Sequence, residues 1–378
     1  MTLLGAYGPW AAGLAGEPPR LSFRRPEFGD LEGWRGAARA RLREALLPPD
    51  LGPAGAARSR GVVERDGLLV EGLAWDLPAG PPAEALFLRP ARGRGPLPAV
   101  LALHDHGGDK FFGLGKIARG GREPHPLMRR HQDRYYGGAA WADGLARRGY
   151  AVLVHDVFPF GSRRIRAADL PAEANPDGVG DDAGTEEAIA AYNRLAAGHE
   201  QVVAKSLLCA GTTLPGLVAA EDMLALDVLC ARPEVDAARV GCCGLSGGGL
   251  RAVLLAGLDR RIACACVAGM MTTWRDLLLN RSRLHSWMAY APGLPRDLDF
   301  PDILSIAAPA PTLVLSNRDD RLFTLPEMAR AHGMAAEVYA KAGAADRHRS
   351  AFNPGPHKFD LAMQAEAFAW LDRWLRAP

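Results

Sequence analysis

From residue 96 onward, short uninterrupted apolar runs alternate with longer helix-compatible stretches, and this rhythm limits the possible folds more than any other feature. Pro98–Leu103, Tyr150–His155, Arg239–Cys243, Ile262–Val267 and Pro311–Ser316 are such runs. A strand wetted on one side alternates apolar and polar residues; a run without alternation predicts a strand covered on both faces. Between the runs lie stretches with helical spacing. One holds Ala139, Leu145 and Ala146 and ends at Gly149; another starts near Thr185, with Glu186 and Glu187 where the helix dipole favours them. Others cover Leu217–Leu229, follow Gly247, and start at Pro326. A last helix puts Leu361, Ala365, Phe368, Leu371 and Leu375 on one face, after a short strand near Arg347–Phe352. The pattern predicts an α/β fold with a doubly wound, mostly parallel sheet.

Before this region, Leu68–Trp75 and Ala83–Leu88 read as two strands around the turn-rich DLPAGPP. Residues 1–58 read as an N-terminal helical arm and linker. Asp30 caps a helix carrying Leu31, Trp34, Ala38, Leu42 and Leu46; Pro48 and Pro49 stop it, and LGPAGAARSRG follows. Residues 59–378 then form the main domain. Three segments exceed the minimal rhythm, at about 109–137, 163–213 and 270–308, and long segments of this kind build or cover sites. The apolar arm, with Trp10 and Trp34, suits a partner surface, so a dimer or larger assembly is expected.

Composition removes several classes. With 378 residues, 48% hydrophobic and 23% charged, the chain should form a globule. A net charge of +2 leaves no basic footprint for nucleic acid. No apolar run reaches the ~18 residues that span a bilayer, and the start lacks the basic region of a signal peptide. The six cysteines (Cys209, Cys230, Cys242, Cys243, Cys264 and Cys266) have neither disulfide-like nor zinc-like spacing. They read as small buried hydrophobes in a reducing cytoplasm. Only five basic residues are lysine (Lys110, Lys116, Lys205, Lys341 and Lys358). With the high alanine content, this reads as a GC-rich bacterial coding bias.

The sharpest chemical signal is Gly244-Leu245-Ser246-Gly247-Gly248, a G-x-S-x-G string between a strand-like and a helix-compatible run. That context is what a nucleophile elbow requires: a tight turn that puts serine at a helix N-terminus. A serine hydroxyl needs a base, and the base needs an acid behind it. Behind this kind of elbow they follow in the order acid, then histidine. After Pro311–Ser316 come Asp319 and Asp320. Asp320 is favoured because Asn317, three residues earlier, tolerates the left-handed turn conformation. His357 lies in the loop NPGPHKF before the last helix, where two prolines and a glycine restrain it. Oxyanion donors are expected from the Gly247 N–H and from the loop His104-Asp105-His106-Gly107-Gly108. There His106 is favoured, with Gly107 and Gly108 as alternatives. His104 and His106 also form an H-x-H pair, but Asp109 falls one place too late for the zinc-hydrolase pattern, so no metal is expected.

Met270, Trp274 and Trp287 are candidates for an acyl pocket, although an ordinary amphipathic helix has the same pattern. Arg163, Arg164 and Arg166 read as a solvated basic turn, and Asp156 as a loop former at the sheet edge.

With Ser246, Asp320, His357 and the HDHGG loop in order, residues 60–378 resemble an α/β-hydrolase. The strand pair before HDHGG, the GLSGGG elbow and the GPHKF loop are similar to the bacterial branch of acetyl xylan esterases, cephalosporin deacetylases and dienelactone-hydrolase-like proteins. The resemblance implies hydrolysis of a small-molecule carboxylic ester, of small acyl or acetyl type, through an acyl-enzyme and without a cofactor. Two alternatives stand beside it: a serine peptidase or amidase on the same triad, and a non-catalytic hydrolase-like binding protein.

Overall fold

The computed structural model describes residues 2–53, 55–92, 95–120, 123–182 and 184–376. The remaining residues of the expected arm and linker (1 and 54), long segments (121–122 and 183) and main domain (93–94 and 377–378) lie outside the described residues. Among the described residues, nine strands form one sheet. They are β1 (Arg58–Arg65), β2 (Leu68–Trp75), β3 (Ala83–Pro90), β4 (Leu97–Leu103), β5 (Ala151–His155), β6 (Val235–Leu245), β7 (Ile262–Ala268), β8 (Thr312–Asn317) and β9 (His348–Asn353). The helices are α1 (Gly8–Gly13), α2 (Leu31–Leu46), α3 (Pro126–Tyr136), α4 (Trp141–Arg147), α5 (Glu186–Cys209), α6 (Leu214–Cys230), α7 (Gly247–Leu258), the single turn α8 (Trp274–Asp276), α9 (Phe300–Ser305), α10 (Leu325–Lys341) and α11 (Leu361–Leu375).

The strand order is β1-β2-β3-β5-β4-β6-β7-β8-β9. β1, β2 and β3 form an antiparallel meander, and β3 pairs antiparallel with β5. From β5 to β9 every pairing is parallel. Strand β4 shows why its sequence lacks alternation. Ala99, Leu101 and Leu103 face one core, with Leu42 of α2, Leu224 of α6, Val253 of α7 and Val338 of α10. Val100 and Ala102 face the other, with Trp141 and Leu145 of α4 and Phe368 and Leu371 of α11. Both faces are dry, so apolar residues are favoured at every position. Among the described residues, no single helix is long and apolar enough to cross a membrane.

Two N-terminal features differ from the sequence expectation. The end of the expected linker is part of β1, which is exposed along its whole length. It has no apolar face, so no hydrophobic period reveals it. The helix of the expected arm, α2, is part of the larger core. The Asp30 carboxylate caps it as expected, accepting the Glu32 and Gly33 N–H groups. Trp34 is only 2% exposed and therefore unavailable to a partner, whereas Trp10 is 66% exposed. The Trp34 indole N–H donates to Leu21 O at 2.6 Å, and its ring lies 4.9 Å from that of Phe23. The end of α2 is held to the start of α6, where the Thr213 hydroxyl donates to Leu46 O at 2.6 Å. Trp34→Ala is expected to lower the free energy of unfolding by about 3–5 kcal/mol in urea denaturation. A loss below about 1 kcal/mol would mark α2 as a detachable arm.

Candidate active site

The centre of the site is a backbone conformation. Ser246 has φ 58° and ψ −117°, a strained geometry for a residue with a side chain. It sits between the end of β6 and the first turn of α7, and its N–H donates to Ala268 O at the end of β7. The turn closes because the next helical turn can lie against β4. A Cβ on Gly248 would stand 2.1 Å from Leu103 O, and one on Gly247 would stand 2.9 Å from the His106 backbone nitrogen. Only glycine allows that approach. The Gly247 N–H, first in α7, has no carbonyl one turn back within its helix, and the His106 N–H has no acceptor among the described residues. Two backbone donors therefore lie side by side next to Ser246.

His357 and Asp320 meet above the ends of β8 and β9. Asp320 is buried; its Oδ2 lies 2.6 Å from His357 Nδ1, and its Oδ1 accepts the Leu322 N–H at 2.9 Å. An ionised Asp320 accepts the Nδ1 proton, which leaves Nε2 as the acceptor nitrogen of a neutral ring. Asp319 instead ties the histidine loop: its N–H donates to Gly355 O, and its carboxylate accepts the Gly355 N–H. Asn317 does not take the left-handed conformation assumed in choosing between the two aspartates. It ends β8, and its side-chain oxygen accepts the Lys358 N–H, a second tie on the same loop.

Ser246 and His357 line one cleft of about 290 Å³, together with Asp105, His106, Gly107 and Gly108. No hydrogen bond joins Ser246 Oγ to the imidazole. Met270 lines the cleft with Leu250, Met288 and Phe323. Trp274 and Trp287 do not. They line a neighbouring apolar hollow of about 290 Å³, where Trp274 stacks on Phe300 at 4.1 Å. Both hollows draw on residues 284–291, and the linear pattern of this segment does not show which side chain turns to which hollow.

No family model matches the chain. It is 29% identical over 316 residues to "Putative hydrolase YtaP" of Bacillus subtilis (strain 168), covering 83% of this chain and 91% of that protein. A solved structure described as a "putative acetyl xylan esterase" from Bacteroides fragilis superposes with a TM-score of 0.67 at 20% identity, over 93% of this chain and 82% of that one. A glucuronoyl esterase from Solibacter usitatus gives 0.59 at 15% identity, over 89% and 91% of the two chains. The chain has the α/β-hydrolase fold.

In α/β-hydrolases the loop after the strand corresponding to β4 faces the nucleophile, and here that loop is held by buried charges that carry no local sequence signal. The Gly108 N–H donates to His106 Nδ1 at 3.1 Å, which removes Gly108 from the candidate donors and leaves the His106 proton on Nε2. That nitrogen faces Glu200 of α5 at 3.4 Å. Glu200 also pairs with Lys110, and its Oε1 accepts the Trp287 N–H at 2.8 Å. Burial pushes the Glu200 carboxyl up, but the His106 hydrogen bond and the Lys110 charge outweigh this and hold it well below its ordinary value. Asp105 turns inward to Tyr136 and to His131, whose Nε2 lies 3.1 Å away. The Arg251 guanidinium, paired with Asp222, donates to His104 O at 3.2 Å. Lys116 donates to the carbonyls of Asp105, His106 and Asp109 at 3.0, 2.9 and 2.6 Å.

His125 and His131 have structural partners: His125 Nδ1 caps α3 by accepting the Leu127 N–H, and His131 holds Asp105. Asp156 accepts the Leu114 and Ser162 N–H groups and so fixes two loops at the sheet edge. Arg163 is not in a solvated turn. It is buried against Glu221, at 2.7 Å.

Glu200→Gln would leave Lys110 buried without its ion pair, so a loss of about 3–5 kcal/mol is expected at pH 7. Because the folded state holds this carboxyl below its ordinary value near 4.5, the stabilisation is full above that pH and is lost as pH falls below it. The melting-temperature gap between wild type and variant should therefore be wide at pH 7 and narrower at pH 3. An equal gap at both would contradict the assignment.

Proposed function

We propose that this chain is a serine esterase that hydrolyses a small carboxylic ester through a Ser246–His357–Asp320 triad. The observation that carries this reading is the Asp320–His357 pair at 2.6 Å, over the same cleft that holds Ser246 at a strained turn. Ser246 Oγ attacks the ester carbonyl while His357 Nε2 takes the hydroxyl proton, and Asp320 stabilises the imidazolium. The carbonyl oxygen, now anionic, is held by the N–H groups of Gly247 and His106. Collapse of this intermediate breaks the C–O bond, and His357 returns the proton to the leaving alkoxide, which departs as the alcohol. Water, deprotonated by His357, then attacks the acyl-enzyme; the acid leaves and the serine recovers its proton.

The cleft is at the small end of the range for ligand sites, and Leu245, Leu250, Met270, Met288 and Phe323 make it largely apolar. Among the described residues no lysine or arginine lines it, which favours a short uncharged acyl group over an anionic one. The relatives named as esterases support the same chemistry.

Hydrolysis of nitrophenyl esters from acetate to octanoate, by wild type and Ser246→Ala in parallel, tests the reading. Wild type should be fastest on the shortest acyl chains, and the variant should lose roughly three or more decades. Equal turnover by both would remove Ser246 as nucleophile. For the acid, Asp320→Asn is expected to cost about four decades in kcat, and Asp319→Asn less than about one, since Asp319 touches only the histidine loop. The reverse ranking would reassign the acid.

A further inference from the structure

Lys116 is fully buried, and its three ammonium donors are all used on backbone carbonyls. Among the described residues no carboxylate comes within ion-pair distance of it. Its charge is offset by those carbonyl dipoles, by the face of Phe160, 4.8 Å from Nζ, and at longer range by the carboxylates of Asp105, Asp109 and Asp156. Burying an ammonium with no carboxylate in direct contact is costly, so where it stands needs a physical account.

Two of the three carbonyls belong to successive peptides, Asp105–His106 and His106–Gly107. Both are trans, since cis peptides occur only before proline among the described residues. In a trans peptide the N–H points opposite to the C=O. Fastening both carbonyls to one buried cation therefore turns the N–H groups of His106 and Gly107 away from it. A cation on the carbonyl also draws electron density from the same amide and makes its N–H a stronger donor. Arg251 extends the arrangement one peptide back, on His104 O. An ammonium suits this place better than a guanidinium: three oxygens converge on a point charge with three rotatable donors, not on a planar fork.

We propose that Lys116 is the positioning residue of the oxyanion site, aiming and polarising the His106 N–H through the Asp105 carbonyl. This rests on the esterase reading above, in which that N–H receives the developing oxyanion. A residue in this role contributes to the tetrahedral state and little to ground-state binding.

The test uses the full chain with nitrophenyl acetate as substrate and phenylboronic acid as a tetrahedral-adduct probe. Lys116→Met, with folding checked by circular dichroism, is expected to lower kcat at least thirtyfold, to leave KM within threefold, and to weaken the boronic acid by a factor similar to the loss in kcat. Lys116→Gln keeps N–H donors without the charge and is expected to fall between wild type and Lys116→Met. It carries the test if the methionine variant does not fold. A folded Lys116→Met with kcat within threefold of wild type would overturn the proposal. So would a Lys116→Gln indistinguishable from wild type, or a loss that lies wholly in KM. Wild type without Ser246-dependent turnover would fail the esterase reading itself; wild-type turnover with an unaffected Lys116 variant would overturn only the role given to Lys116.

Discussion

The site depends on one close approach between two backbones: the end of β4 and the first turn of α7. The Leu103 carbonyl occupies the space a Gly248 side chain would need, and the His106 nitrogen lies against Gly247. That contact places a strand-end loop beside a helix N-terminus and gathers two backbone donors next to Ser246. Any side chain at these glycines would push the loop away, and the donors would separate from the serine. The strained Ser246 backbone is tolerated because the sheet around it is rigid, with β4, β7 and the second half of β6 dry on both faces.

The parallel sheet supplies Ser246, Asp320 and the approach to His357, but not what holds the donor loop. That comes from segments outside the minimal strand–helix rhythm. Residues 109–137 provide Lys116, His131 and Tyr136, and residues 163–213 provide Glu200. Residues 270–308 provide Met288 and much of the cleft wall. Buried charges dominate this support, and every one has several partners. A single unpaired member would cost more than the pair contributes.

Much of this was legible because it is local. Unbroken apolar runs identified the buried strands, and the small residues around Ser246 marked the tight turn between strand and helix. The stiff loop NPGPHKF pointed to His357. Other features depend on contacts distant in sequence, and local pattern is blind to them. Glu200 looks like an ordinary surface residue of a helix, with its partner His106 94 positions away, and Lys116 reaches only backbone carbonyls of the preceding loop, which no side-chain pattern marks. Strand β1 has no apolar face, so no period betrays it. Trp34 looked available to a partner because the groups that cover it, such as Phe23 and the chain at Leu21, lie outside its own helix. The choice between Asp319 and Asp320 used a turn conformation that Asn317 does not adopt, although the acid that faces His357 is the one it favoured.

The outer edge of the sheet carries a further consequence. β1 presents one side to solvent, with Val62 and Val63 exposed, and a free strand edge is a template on which another chain can add. Its pairing with β2 breaks register between Ser59 and Val62, with Gly61 at φ 111° between them. Arg58 and Arg60 turn back to ion pairs with Asp76 and Glu84. An incoming strand could follow the edge only from Val62 to Arg65 before losing its ladder. The irregularity thus shortens the ladder open to an incoming strand at the sheet edge opposite β9.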